Sequence, residues 1–154
     1  MMNPHVPEDG IEVGGDVDEV RVSLRVSAPD LDPDAITRIF GVQPTYAARK
    51  DHRRLSGGGY ITQRTGIWIL TLAESSEWTL GDAIAALLDK LPSQMTVWYE
   101  AAKKGRIDLF CGLHLAAWNR GLELSPELPG RLSERQITLG LDIYCEAPDD
   151  EADA

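Results

Sequence analysis

Between Glu19 and Ser27 apolar and polar residues alternate at every position. Val20, Val22, Leu24 and Val26 stand on one side, and Arg21, Ser23, Arg25 and Ser27 on the other. A period of two with one apolar face is the signature of a strand in a sheet that is covered on one side only. The pattern returns at 107–115, where Ile107, Leu109, Cys111, Leu113 and Leu115 alternate with Asp108, Phe110, Gly112 and His114. It returns again at 136–145, where Ile137, Leu139, Leu141, Ile143 and Cys145 oppose Thr138, Asp142 and Tyr144. Such strands need a layer over their apolar side and leave a polar side open. A fourth strand, Ile67–Leu72, is almost continuously apolar and reads as central.

Helices supply the covering layer. Asp32 is an N-cap, Pro33 fits the first helical position, Asp34 suits the positive end of the dipole, and Gly41 is a left-handed stop after Phe40. Leu31 and Ile36 are placed as a hydrophobic staple. Thr79 caps a second helix whose stripe is Leu80, Ala83, Ile84, Leu87, Leu88 and Leu91, ended by Pro92. Residues 95–104 fit a helical face through Met95, Trp98, Tyr99 and Ala102, in competition with the strand propensity of Thr96–Tyr99. Ser125-Pro126-Glu127 starts a helix that Pro129 and Gly130 make short or irregular. Residues 43–66 carry weak signals and read as a strand end followed by a long flexible loop around Gly57-Gly58-Gly59.

The chain of 154 residues fits one domain. Residues 19–145 form it. Acidic tails flank it, at 1–18 with Glu8, Asp9, Glu12, Asp16 and Asp18, and at 146–154 with Glu146, Asp149, Asp150, Glu151 and Asp153. The net charge of −10 belongs to those tails, because 19–145 balances acid against base. Like-charge repulsion predicts that both tails are mobile. This charge disfavours general nucleic-acid binding. No apolar run reaches membrane-spanning length and Met1–His5 does not open a secretory signal. Cys111 and Cys145 read as buried, reduced thiols of a cytoplasmic protein, with a cross-strand disulfide as the alternative. The fold class expected is α+β, an antiparallel or mixed sheet with helices mainly on one face. Strand–helix–strand repeated twice favours a ferredoxin-like arrangement.

Leu31–Thr37, Phe40–Thr45, Gly66–Leu70, Asn119–Gly121 with Ser125–Glu127, and Leu141–Tyr144 occur in that order. In these segments the chain resembles the bacterial domain-of-unknown-function family numbered 4279, over about residues 19–145. The resemblance implies a small bacterial α+β protein. It implies no reaction and brings no catalytic residues.

Chemistry-bearing motifs are few. His5, His52 and His114 lie far apart and neither cysteine has a partner at short spacing, so no metal site and no cofactor are expected. Cys111 and His114 are three apart on a strand and face opposite ways. No nucleophile elbow, P-loop or dinucleotide fingerprint is present, and the reading leans away from an enzyme. Asp108 and Asp142, both on a polar strand face, read either as paired carboxylates or as partners of Arg21 and Arg25. A basic cluster, Arg49, Lys50, Arg53 and Arg54 with Arg64 nearby, is suited to a phosphate-bearing ligand, an acidic partner or an acidic tail of the same chain. The polar face would show Arg21, Arg25, Asp108, His114, Asp142 and Tyr144. Two readings of function follow. One is a non-enzymatic protein-interaction module, with an inhibitor or immunity-type binder as its specific form and self-association as its variant. The other is a small-molecule or anion-binding domain using the basic 49–64 segment.

Overall fold

The computed structural model describes residues 15–73 and 77–145. Most of the two acidic tails lies outside this range. The elements are β1 (Glu19–Ala28), α1 (Pro33–Phe40), β2 (Tyr46–Ala48), β3 (Arg53–Ser56), β4 (Gly59–Thr62), β5 (Gly66–Thr71), α2 (Leu80–Asp89), α3 (Met95–Lys104), β6 (Arg106–Leu115), α4 (Glu127–Glu134) and β7 (Thr138–Cys145). Five strands form one mixed sheet in the order β2-β5-β1-β6-β7, antiparallel except for the parallel pair β6–β7. β3 and β4 pair with each other as a separate hairpin. The chain is therefore α+β, as the alternation predicts.

The ferredoxin-like arrangement is not borne out. That arrangement interleaves its strands, so that the two strands of each crossover flank a third. Here β1 and β5 are direct antiparallel neighbours, and β6 and β7 are adjacent and parallel across α4. Periodicity tells which side of a strand is buried and says nothing about its neighbour.

One side of the sheet carries the core. Val20, Val22, Leu24 and Val26 meet Leu113, Cys111, Leu109 and Ile107 across β6, while Leu24 and Val26 meet Leu70 and Trp68 across β5. All are buried in one cluster with Ile36 and Phe40 of α1, Leu80, Ile84, Leu87 and Leu88 of α2, Trp98 and Ala101 of α3, and Leu128 and Leu132 of α4. The helices hence lie over that face. Each large apolar side chain so buried contributes about 1.5–3 kcal/mol. Phe40 packs between Trp68 and Trp98, with ring centroids 5.3 and 5.0 Å away. Both indoles satisfy their N–H: Trp68 Nε1 donates to Thr37 Oγ1 at 3.1 Å and Trp98 Nε1 to the Pro92 carbonyl at 2.8 Å.

The helix ends follow their sequence signals. Asp32 accepts from the Asp34 amide at 3.0 Å, Gly41 takes φ 67°, and Thr79 accepts from the Asp82 amide at 3.1 Å. Residues 95–104 are helical. Pro129 sits in the first turn of α4, where no intrahelical N–H bond is required of it. Asp16 and Asp18, counted with the acidic N-terminal segment, lie against the 116–121 turn. Asp18 accepts from the Ala116 amide at 2.7 Å and from Arg120 Nε at 3.2 Å, and these bonds hold its carboxyl below the usual range.

Three expectations change. Residues 53–62 form a hairpin in place of a flexible loop. Gly57 and Gly58 take φ 46° and 105°, which gives the two positive φ values of a type I′ turn that closes two twisted strands. Leu141 and Ile143 point to the helix-covered side but are 45% and 57% exposed, because β7 is the sheet edge. Both cysteines are free; Cys111 is buried, and Cys145, at the end of that edge strand, is exposed.

Candidate functional site

The side of the sheet without helices is a lattice of cross-strand pairs. At its centre Arg25 of β1 stands opposite Asp108 of β6 and Ile69 of β5. Arg25 Nε donates to Asp108 Oδ1 at 3.1 Å, and Nη2 donates to Oδ2, a bidentate pair. Asp108 is buried and Arg25 partly so, with its guanidinium 4.6 Å over the Phe110 ring. The hydrogen bonds to Asp108, outweighing burial, push the Arg25 pKa above its ordinary value. Beside this pair Ser23 Oγ and Thr71 Oγ1 hydrogen-bond at 2.9 Å.

Further along, Gly112 leaves a gap in the lattice. Around it Glu19, Arg21, Phe110, His114 and Tyr144 line a depression of about 320 Å³. Glu19 stands opposite His114, and His114 opposite Tyr144. The Tyr144 hydroxyl donates to Asp142 Oδ2, which pushes the phenol pKa above its usual value. Asp142 neighbours Gly112, whereas Asp108 neighbours Thr138. The two carboxylates therefore stand four residues apart along β6, roughly 13 Å. Asp108 is taken by arginine, so the paired-carboxylate alternative is not realised.

The basic residues of 49–64 sit at the opposite edge, next to β2. Arg49 Nη2 donates to Asp32 Oδ1 at 2.6 Å and Asp34 Oδ2 at 3.2 Å, which ties it to the start of α1. Arg53 lies over Tyr60 (5.4 Å) and Arg54 over Tyr46 (5.7 Å), cation–π contacts within and below the hairpin. Lys50 and Arg64 are exposed. All residues of β3 and β4 are exposed, and Leu55 (79%) and Tyr60 (66%) are the most open apolar positions among them.

The predicted site residues thus separate into two groups. Arg21, Arg25, Asp108, His114, Asp142 and Tyr144 share the open face. Arg49, Lys50, Arg53, Arg54 and Arg64 surround the hairpin. Phe110, Gly112, Leu55, Tyr60 and Tyr46 escape a reading that looks for charges. The signal present for the last three is an aromatic or leucine spaced among arginines. Among the described residues no cluster of three or more His, Cys, Asp or Glu is arranged to hold a metal ion. A separate hollow of about 660 Å³ lies between residues 15–20, the start of α2 and the 119–123 turn.

Residues 18–146 match the family described as domain of unknown function DUF4279. This chain belongs to that family. The DUF4279 match starts one residue before β1 and ends one after β7, so it takes in both the open face and the hairpin. No curated protein and no solved structure matches the chain. No helix among the described residues is long and apolar enough to cross a membrane.

Proposed function

We propose that this DUF4279 protein is a non-enzymatic protein-interaction module that grips its partner with the β3–β4 hairpin and the neighbouring open sheet face. The single observation that carries the reading is the hairpin itself. Its strand residues are all exposed, and it presents Leu55 and Tyr60 beside Arg53. A two-stranded hairpin standing alone in water is marginally stable. Burial against a partner relieves that, and tyrosine and arginine are the residues that dominate interface energies. In its specific form the module is an inhibitor or immunity-type binder, and Arg53 and Arg54, with the exposed Lys50 and Arg64 nearby, suit an acidic surface on the partner. A cytoplasmic setting is part of the proposal and agrees with two free cysteines.

The alternative, an anion- or small-molecule-binding domain, draws on the basic residues of 49–64. It has less support, because Arg49 is committed to Asp32 and Asp34, and Arg53 and Arg54 lie over tyrosine rings.

A photo-crosslinking residue at position 60 tests the reading in native cells. One cross-linked protein is expected, absent when the probe sits at the exposed Glu100 on α3. The purified pair should bind at least tenfold more weakly after Leu55→Asp with Tyr60→Ala, while the variant keeps its unfolding midpoint. Equal labelling from both positions sinks the proposal. A phosphate-ligand thermal shift removed by Arg53→Ala with Arg54→Ala would transfer support to the alternative.

A further inference from the structure

β7 hydrogen-bonds to β6 on one side and to no strand on the other among the described residues. A bare sheet edge offers a row of N–H and C=O groups to any second strand. Proteins guard such edges with short strands, lysine, proline or bulges. At the far edge the guard is present, since β2 is three residues long. β7 has a single charge, Asp142, which accepts from Tyr144 of the same strand, and none of the other guards. It runs eight residues, Thr-Leu-Gly-Leu-Asp-Ile-Tyr-Cys, pairs without a bulge from Thr138 to Cys145, and contains no lysine, arginine or proline. Leu141 and Ile143 stand open beside the bare backbone.

We propose that β7 pairs antiparallel with β7 of a second copy, about a two-fold axis through Leu141, joining two five-stranded sheets into one. An axis perpendicular to the sheet keeps both helical layers on one side. It therefore matches odd positions to odd and even to even. Centring on Leu141 pairs the whole stretch 138–144. Leu139 then meets Ile143 of the second copy, Leu141 meets its own counterpart, Thr138 meets Tyr144, and Gly140 meets Asp142. The apolar residues form a continuous ladder. Tyr144 lies diagonal to the bare Gly140, a position in which an aromatic ring covers a glycine. Centring on Asp142 would set that carboxylate against itself, which is destabilising. Centring on Gly140 would leave Ile143 and Tyr144 outside the pairing. The self-complementarity of β7 about Leu141 is what selects a second copy over a foreign strand. Since each copy carries −10, salt should tighten this contact by screening repulsion, the opposite of its effect on a contact made by the basic hairpin.

Sedimentation equilibrium of the full chain, at up to about 0.1 mM where even a micromolar dimer fills, tests the proposal. The expected mass rises to twice that of the chain, at lower concentration in high salt than in low. Leu141→Lys with Ile143→Lys should hold the protein at one chain mass with its circular dichroism intact. Leu55→Asp should leave the dimer unchanged, which separates this interface from the hairpin. In a Cys145→Ser background, Leu141→Cys should form a disulfide-linked dimer on mild oxidation and Ile143→Cys should not. A single chain mass under every condition overturns the proposal. So does a dimer that survives the double lysine variant, or one cross-linked through Ile143→Cys but not through Leu141→Cys.

Discussion

Arg25 and Asp108 place two opposite charges in the middle of a sheet, each contributing to the other's retention there. Asp108 is the more buried partner and accepts both bonds from the guanidinium. Asp108→Asn keeps the shape and removes the charge, so Arg25 loses its ion pair. A fully buried pair broken in this way costs about 3–5 kcal/mol. Arg25 is a third exposed and can turn to water, so about 1–3 kcal/mol is expected in urea unfolding. A double-mutant cycle with Arg25→Gln should return a coupling of the same sign. On the opposite face Cys111 gives a pH signature. Burial, reinforced by the charge of Asp108, pushes its thiol up to about 12 from an unfolded value of 9.0. Between those values the unfolded chain loses a proton that the folded chain keeps. Stability therefore falls as pH rises from about 9 towards 12 and is untouched by this group below 9. Cys111→Val should flatten that alkaline limb in a comparison of unfolding midpoints. At this scale alternation told which side each residue takes, and so put Arg25 and Asp108 on one face. It could not pair them, since opposition across strands depends on register.

Short-range chemistry made most elements legible. Asp32-Pro33-Asp34, Gly41 and Thr79 each mark a helix boundary by a hydrogen bond or a φ value that neighbouring residues alone determine. The 53–62 hairpin was hidden for the converse reason. Its strands bury nothing, so no apolar period announces them, and its glycines look like slack where they serve as the turn. Gly66 is more exacting. A Cβ built there falls 2.5 Å from the Leu31 carbonyl oxygen and 2.7 Å from the Leu31 Cβ, because β5 begins directly against the turn that leads into α1. Backbone cannot move aside as a side chain can. Gly66→Ala is expected to cost about 1–3 kcal/mol. The same change at Gly112, where the nearest atoms are 3.9 Å away, should cost little by comparison. Thermal unfolding of the two variants side by side checks this.

Across the whole molecule the layer architecture could be read and the strand order could not. Three alternating strands and four amphipathic segments require a sheet with one covered side. Which strands touch is decided by contacts between residues distant in sequence, and β7 shows the consequence: Leu141 and Ile143 carry the pattern of core residues at an edge where the helical layer stops. The basic residues of 49–64 lie beside the β2 margin of the sheet, while the open-face residues run from its middle strand at Arg25 to its β7 edge at Tyr144, a layout that no spacing in the sequence reports. The order β2-β5-β1-β6-β7 also makes the earliest strand of the described residues the middle strand of the sheet. β1 must wait for β6, whose paired residues lie 79 positions later for Ser27 and 95 later for Glu19. At roughly 5–20 residues per second that is a delay of about 4–19 s on the ribosome. During it Val22 and Leu24 lack Cys111 and Leu109 beside them, so that flank of the growing sheet needs shelter until β6 emerges.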